Sequence, residues 1–531
     1  MKKTFLTRTL ALALCLMMLL AAAGCSGKPS SQASAGNGST AAAGGAGSIA
    51  DQIVIARLSD AAYLDPNAES IGGAEVMIMQ QIYEGLVKSS AKGDSIEPCL
   101  ATDWKISEDG LTYTFNLRPD IKFSDGTPVT GEDWIWSFYR ARDTQTSAYA
   151  YIAEAVDKVE ADDKTVTIHL KHPWAPFLAD LCNFNMVVGS KAYFDKVGAQ
   201  AYSDKPLGTG PYMLTEWVKD DHMLLEANPY YHEAGYPKTQ KIKFTVVGDD
   251  NTRFMQLQAG QVDIVSDLPF TMANMAQSDS NLKLDVFDST QVRYLILNTT
   301  QPPFNNQAVR KALEYALNKK EMAEVIAGQY GGPAVALVSE AEGKWCNTDL
   351  KVEEYDPAKA KQLLADAGFP NGVDFTLTIR SGSEVYEQMA TLIQASVKDA
   401  GFNCNIEKLE NAAVREKYEA LTHQATILMW IDDIIDPSGV SGWTVDYDQC
   451  KAWYTGLNDE ALDKLNTDAS KEMDEAKRVK MYWDIQAKVK DNANVMPLFK
   501  NGFAYASQKS VQGLFVSPFG VMECAKLTKT K

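Results

Sequence analysis

The chain has 531 residues, of which 45% are hydrophobic, 10% aromatic and 23% charged. This length exceeds one compact core, so we expect two or more lobes, and the composition excludes collagen-like, disordered and multi-spanning membrane chains. The 69 acidic and 51 basic side chains give a formal net charge of −18, which disfavours a nucleic acid partner because both surfaces would be negative.

The sequence of the N-terminus predicts a signal peptide that is cleaved from the mature protein. Three basic residues within the first eight precede the apolar run 10–23, which is shorter than the roughly 20 residues that a membrane-spanning helix needs. A basic start, a short apolar middle and a small-residue exit predict a secretory signal peptide over residues 1–24. Cys25 resembles the lipidated cysteine of a bacterial lipobox, with Ala22 where leucine is commoner. Simple secretion with an incidental Cys25 is the alternative.

A flexible tether is predicted after this cysteine. Residues 26–50 contain 19 glycine, serine and alanine residues and one charged side chain, Lys28. A segment with so few hydrophobic side chains cannot form a core. We therefore expect residues 25–50 to hold a globular body near the outer face of a cell membrane through a lipid on Cys25.

Short strands dominate the first half of the body. Residues 112–117 and 165–170 alternate polar with apolar side chains, and turn dipeptides such as Asp109-Gly110 bound them. His169 falls on the polar side of the second strand, close to His172. A surface pair is favoured over a metal site because no third ligand is suggested nearby.

Helices take over in the second half. Apolar spacing predicts a helix after Asn305-Asn306, and Asp356-Pro357 predicts the N-cap and first residue of another helix. A further helix is stopped by Gly401, and the strand 375–379 lies between these last two helices. This half therefore alternates strand and helix in the α/β manner. A long helix is predicted over residues 473–491.

Cysteine spacing gives no metal or redox motif, since no C-x-x-C occurs. An extracellular location permits disulfides, but six cysteines allow 15 full pairings and the sequence selects none of them. Buried thiols that act as small hydrophobic groups are the alternative. The six cysteines of the body are Cys99, Cys182, Cys346, Cys404, Cys450 and Cys524.

Short motifs in a fixed order carry a family resemblance. They are LDP at 64–66, IYEGLV at 82–87, LA-x-x-W at 100–104, DG-x-TYTF-x-LR at 109–118, FSDG at 123–126, GTGPY at 208–212, NP-x-Y at 228–231, YL-x-LN at 294–298, VR-x-AL at 309–313 and W-x-x-D-x-x-DP at 430–437. Over residues 52–525 the chain resembles the solute-binding proteins of oligopeptide and dipeptide ABC importers, the family 5 extracellular binding proteins.

The resemblance implies an α/β fold of two lobes, the type II periplasmic-binding-protein-like architecture, with a hinge of two crossing strands. Lobe one would contain residues 51–292 and 498–531, with an extra subdomain at about 88–200, and lobe two residues 293–497. The cleft would close on a ligand. We expect a monomer that uses no cofactor and no metal and delivers its ligand to the ABC permease subunits.

The resemblance also implies a ligand-binding carboxylate. Family members pair the α-ammonium of a peptide with an aspartate three residues after a tryptophan, which here is Asp433. The physics agrees, because an ammonium buried on closure needs a carboxylate partner. Asp432 is the competing candidate, and a capping aspartate is the structural alternative. Trp430 would supply a flat apolar wall, with a core tryptophan as its alternative.

Further contacts are implied with less support. Tyr149 and Tyr151 would cover the mouth of the cleft. Arg380 matches an arginine that clamps the ligand carboxylate in dipeptide-type relatives, although a solvated surface arginine is favoured. The segment 410–414 lacks the tryptophan that relatives often carry, so the ligand preference stays open. Main-chain contacts to the peptide, or else a plain flexible loop, are implied for Ser70, Ile71, Gly72 and Gly73.

Three functions follow from these features. The first is a lipid-anchored receptor that binds a small peptide and catalyses nothing. The second is the same receptor for a nickel chelate, haem, an oligosaccharide or a peptide pheromone, and Trp430 with Trp443 would begin an aromatic platform for a sugar. The third, an extracellular hydrolase, is disfavoured because no G-x-S-x-G or H-E-x-x-H motif is present.

Overall fold

The computed structural model describes residues 50–68, 72–147 and 149–531. The predicted signal peptide, Cys25 and the tether up to residue 49 lie outside the described residues, as do Ser70 and Ile71. In the part of the chain that the structure describes, no helix combines the length and the apolar character needed to cross a membrane.

The largest sheet within the described residues has seven strands. Its central strand, Gln52–Arg57, pairs in parallel with both of its neighbours and buries Ile53 and Ile55 completely. In spatial order the strands are Leu282–Phe287, Phe503–Gln508, Ile264–Val265, Gln52–Arg57, Lys241–Val246, His222–Ala227 and Tyr212–Val218.

A second sheet of six strands within the described residues forms the centre of lobe two, by which we mean residues 292–501. The strand Val373–Arg380 pairs in parallel with both of its neighbours, as the predicted alternation of strand and helix requires. In spatial order the strands are Gly331–Pro333, Val495–Asn501, Val292–Leu297, Ala425–Trp430, Val373–Arg380 and Phe402–Leu409. All other described residues constitute lobe one.

The predicted helix caps of lobe two are confirmed. The helix Gln307–Ala316 begins after Asn306, whose side chain accepts a hydrogen bond from the main chain of Ala308. The side chain of Asp356 caps the helix Pro357–Asp366 in the same way. Both helices bury apolar residues against the six-stranded sheet.

Lobe one carries a smaller antiparallel sheet with its own core. Its four described strands are, in spatial order, Ala101–Ile106, Thr112–Leu117, Thr165–Leu170 and Val156–Ala161. The helix Gly131–Asp143 contributes the buried ring of Trp134 to this core. His169 lies on the polar side of its strand, within 3.4 Å of the Glu160 carboxylate, as the alternation predicts.

The remaining elements connect and cover these sheets. The helices of lobe one are Gly73–Ile82, Phe177–Asp180, Lys191–Asp204, Asp250–Gln258 and Phe270–Ser278. Those of lobe two are Lys319–Ala327, Glu384–Lys398, Asn411–Glu419, Ser438–Val445, Tyr447–Tyr454, Glu460–Lys471 and Glu475–Asn492. Short strands occur at Val87–Ser89, Ile96–Pro98, Val511–Gln512 and Thr528–Lys529.

Two neighbouring crossings connect the lobes. The chain leaves the seven-stranded sheet after Phe287 and enters the six-stranded sheet at Val292, and it returns through Gly502. A Cβ atom at Gly502 would lie 2.5 Å from the carbonyl oxygen of Phe287, so only glycine permits this close approach. The Ser339 hydroxyl donates a 3.0 Å hydrogen bond to the carbonyl of Ser289, which ties lobe two to the first crossing.

The cysteines of the described body are free thiols. Cys182 is half-buried and the other five are buried, so the alternative of buried thiols that act as small hydrophobic groups is confirmed for these five residues. Burial raises the pKa of the Cys404 thiol to about 12, which keeps it protonated and unreactive at neutral pH.

Candidate functional site

A cavity of about 560 Å³ lies between the two lobes. Lobe one lines it with parts of the segments 151–155 and 172–183, and lobe two with parts of 430–446 and 463–471. The volume falls in the range of small-molecule binding sites. A main-chain hydrogen bond of 2.7 Å from Ala175 to the carbonyl of Ser470 joins the lobes at its edge.

Asp433 lines this cavity from the loop that follows the strand Ala425–Trp430. No hydrogen bond or ion pair connects its carboxylate to any of the described residues. Burial alone raises the pKa of Asp433 to about 7. The ionised form of a carboxyl group that is buried without a partner is strongly stabilised when a ligand brings a positive charge next to it.

Asp432 also lines the cavity, but its hydrogen bonds are made within the protein. It is 2% exposed and accepts a 2.9 Å hydrogen bond from Nε1 of Trp430, while its own N–H donates to the Thr290 hydroxyl at the hinge. Its side chain also faces that of Glu342, and burial raises the pKa of both carboxyl groups. Two buried acids that face each other retain a proton between them.

The loop carrying these aspartates is fixed at its far end by a buried ion pair. Two nitrogens of the Arg478 guanidinium donate to the two oxygens of Asp436, and both side chains are about 95% or more buried. Asp436 also accepts a 3.0 Å hydrogen bond from the main chain of Ser438. A bidentate pair of this kind adds orientation as well as energy, so it positions Asp433 relative to the helix Ser438–Val445.

Aromatic rings form the apolar walls of the cavity. Trp430 and Trp443 both line it, with ring centroids 5.4 Å apart, and Tyr151 lines it from lobe one. Tyr149 lies behind Tyr151, in an edge contact of 4.6 Å with Phe184. Burial and the nearby charge of Asp433 raise the pKa of both tyrosines, so both hydroxyls remain protonated donors.

Lobe one contributes an acidic group that the sequence reasoning missed. Asp180 ends the short helix Phe177–Asp180 and accepts a 2.7 Å hydrogen bond from Nε1 of Trp174, and both residues line the cavity. Burial raises the pKa of Asp180 to about 8. Nothing in the local sequence distinguishes this aspartate from a helix-terminal residue on the surface.

A second cavity of about 230 Å³ adjoins the first and is lined by residues of lobe one together with Asp433 of lobe two. It runs between the helix Gly73–Ile82 and the C-terminal segment 517–526, and it shares Asn183 and Asp433 with the larger cavity. Asp433 therefore lies where the two cavities meet, so that parts of one ligand can extend from it in two directions.

Other predicted residues lie away from the cavity. Arg380 is exposed, with its guanidinium 4.7 Å from the ring centre of Tyr386, as the surface alternative expects. Gly72 is the N-cap of the helix that Gly73 begins. Its main-chain N–H donates a hydrogen bond to the Glu75 carboxylate, so this N–H is not available to pair with a peptide as a strand would. Among the described residues that line either cavity, Arg380 and the two glycines do not occur.

The family model for "Bacterial extracellular solute-binding proteins, family 5 Middle" matches residues 95–449. The chain belongs to this family. Its members are extracellular binding proteins, and the fold described above is their two-lobed α/β type II architecture.

Similar proteins of this family are named for different ligands. The glutathione-binding protein GsiB of Escherichia coli (strain K12) is 27% identical over 479 residues, covering 88% of this chain and 93% of that protein. The heme-binding protein A of Haemophilus influenzae is 31% identical over 474 residues, covering 83% and 85%. The periplasmic binding protein DppA of Helicobacter pylori, solved with the peptide STSA, is 27% identical with a TM-score of 0.79, covering 90% and 98%.

Proposed function

We propose that this protein is a lipid-anchored receptor that captures short peptides between its lobes and presents them to the permease of an ABC importer. The observation that carries the proposal is the Asp433 carboxylate, which lines the interlobe cavity without a partner among the described residues. The ligand's α-ammonium would provide the missing charge. No catalytic step is part of this proposal.

The chemistry of the cavity supports an amine over an anionic cargo. Six acidic side chains line it within the described part of the chain, against one lysine and one histidine. Haem carries two carboxylates and would place them among these acids, which is unfavourable because like charges repel. A peptide with a free amino terminus places a positive charge there instead, and aromatic walls accept its variable side chains. The likeness to DppA, solved with a peptide, is consistent with this choice.

The cargo is tested by the mass of what the protein retains. We expect native mass spectrometry of freshly purified protein to show bound species in the mass range of short peptides. Thermal unfolding should then show stabilisation by peptides with a free amine and much weaker stabilisation by their N-acetylated forms. Equal stabilisation by the two forms would contradict the role given to Asp433.

The anchor is tested separately, since it rests on the sequence around Cys25. Cells grown with a labelled fatty acid should incorporate label into the wild-type protein and none into Cys25→Ser. The unlabelled variant should appear in the culture medium or the soluble extracytoplasmic fraction. Label on the variant, or a wild-type protein that is released, would contradict lipid anchoring.

A further inference from the structure

The smaller cavity beside Asp433 differs in its lining from the interlobe cavity. The helix Gly73–Ile82, the segment 181–187 and the C-terminal segment 517–526 all contribute to its walls. Among the described residues, only Asn183 and Asp433 line both cavities. These two residues therefore mark the junction between the two spaces.

The lysine and glutamate side chains of the smaller cavity are paired within the protein. Each of those that line it in the described part of the chain has an oppositely charged or hydrogen-bonding neighbour. The pairs are Lys88 with Glu233, Lys526 with Glu523, and Glu84 with His232. A charged group that entered this space would find no free counter-charge besides Asp433, and its burial would cost free energy.

Apolar side chains form much of the remaining wall. Leu181 and Phe184 follow the short helix Phe177–Asp180, while Met79 and Phe519 come from the first helix and the C-terminal segment. Each of these four side chains is at most 9% exposed. Apolar ligand surface placed against them would be removed from water, which favours binding.

The aromatic part of this wall lies close to Asp433. The ring of Phe184 makes an edge contact with Tyr149, and the ring centroids are 4.6 Å apart. Burial and, to a smaller extent, the charge of Asp433 raise the pKa of Tyr149, so the two side chains lie within electrostatic range. Asn183, the neighbour of Phe184 in the sequence, lines both cavities. A group held at Asp433 is therefore followed directly by an apolar wall.

The covalent structure of a peptide's amino terminus suits this junction. The ammonium nitrogen is bonded directly to Cα, from which the first side chain and the rest of the chain leave in different directions. An ammonium held at Asp433 therefore places one branch at each cavity. The interlobe cavity, with about 560 Å³, has room for the rest of the chain. The smaller one, with about 230 Å³, matches a single side chain, since roughly 150 Å³ holds a benzene molecule.

We propose that the smaller cavity binds the side chain of the first residue of the peptide and selects a large apolar one, with aromatic side chains preferred. The inference rests on the proposed function, because Asp433 must hold the amino terminus of the same ligand. Aromatic rings of the ligand would gain edge or offset contacts with Phe184 and Phe519. The cargo is therefore a short peptide with a free amino group and a large apolar N-terminal residue.

Isothermal titration of tripeptides tests this selection. Each peptide carries phenylalanine, methionine, glutamine or alanine at position one, two or three, with glycine elsewhere. Methionine and glutamine have side chains of similar length, so this pair separates apolar character from size. We expect phenylalanine and methionine at position one to bind about tenfold or more tightly than glutamine and alanine. At positions two and three the differences should be much smaller.

Cys182 offers a way to fill the smaller cavity alone, because among the described lining residues it belongs to that cavity and not to the larger one. Cys182→Phe should lose the preference at position one while binding the alanine peptides as the wild type does. Cys182→Ser is the matched control, because it keeps the size of the side chain, and it should retain the preference. The wild-type peptide series decides the question by itself where Cys182→Phe does not fold.

The outcomes separate this inference from the proposed function. If the peptides bind but methionine and glutamine bind equally at position one, the assignment of the smaller cavity is wrong and the peptide receptor stands. The same conclusion follows if folded Cys182→Phe keeps the preference, or if the preference is equally strong at all three positions. If no peptide of the series binds, the proposed function fails and this inference with it.

Discussion

The indole Nε1 of Trp430 donates a hydrogen bond of 2.9 Å to Oδ1 of Asp432. This bond engages the first of two adjacent carboxylates and leaves Asp433 without a donor among the described residues. Both aspartates line the same cavity, so under the proposed function Asp433 is the carboxylate that remains available to the cargo. The sequence left this choice open, and the hydrogen bond favours Asp433.

Removing that donor should weaken the fold. In Trp430→Phe the aromatic wall remains but the buried Asp432 loses its indole partner, so the free energy of unfolding should fall by about 1–3 kcal/mol. Trp104→Phe is the control, because Trp104 is half-buried and forms no side-chain hydrogen bond with described residues. Denaturant unfolding monitors both variants. A loss no larger in Trp430→Phe than in the control would show that this hydrogen bond has no energetic role.

Loss of the buried ion pair between Arg478 and Asp436 should reduce the free energy of unfolding more than loss of the Trp430 hydrogen bond. Arg478→Ala leaves the Asp436 carboxylate buried without its cation, which typically costs about 3–5 kcal/mol. Lys480→Ala removes a basic residue two positions away that forms an exposed pair with Asp484, and it should cost less than about 1 kcal/mol. We expect a clearly lower thermal midpoint for the first variant only. Equal midpoints would contradict the structural role of the pair.

The helix caps and strand periods of this protein were predictable because they depend on local chemistry. Asn306 and Asp356 satisfy main-chain N–H groups within three residues of themselves, so the sequence alone indicates them. The crossing at Gly502 was not predictable in detail. Its need for glycine arises from the carbonyl of Phe287, more than 200 residues earlier in the chain.

The candidate site was predictable only where a sequence motif indicated it. Asp433, Trp430 and Tyr151 line the cavity, and the first two lie within one short sequence pattern. Asp463 and Asn466 also line the cavity, but the sequence did not indicate this because a polar stripe on a helix usually indicates a solvated face. Only the opposing lobe turns that stripe into a cavity wall. Arg380 is the opposite case, a residue that the sequence suggested and that lies away from the cavity. Its guanidinium could bind a ligand carboxylate, but the side chain packs on Tyr386 at the surface.

Stability of the unliganded protein should depend on pH through the cavity acids. The pKa of Asp433 in the folded state, about 7, lies above the value of about 3.9 for an unfolded aspartate. The folded state therefore binds more protons between these values, and the free energy of unfolding falls as pH rises from about 4 to 7. Asp433→Asn should remove a decline of the order of 2 kcal/mol. Unfolding curves at several pH values check this, and parallel profiles for wild type and variant would contradict it.

Cargo affinity should change with pH in the opposite direction. Under the proposed function the ligand's ammonium binds the ionised carboxylate of Asp433. Below the pKa of this group, about 7, binding must displace a proton, so affinity should rise by up to about tenfold for each unit of increasing pH. Above about pH 8 the peptide's own amino group loses its charge and affinity should fall. Titration of one peptide between about pH 5 and 9 should give a maximum near neutrality. In Asp433→Asn the rise of affinity with pH below neutrality should be much flatter. An unchanged rise would show that a different group causes it.

The central claim is that Asp433 pairs with a positive charge on the ligand, and a double comparison of affinities tests it most directly. One peptide and its N-acetylated form are titrated into wild type, Asp433→Asn and the exposed control Asp484→Asn. We predict that Asp433→Asn weakens binding of the free amine by about 2–5 kcal/mol and leaves the acetylated form unchanged, while the control alters neither. Free-amine binding that survives Asp433→Asn at wild-type affinity would contradict the account.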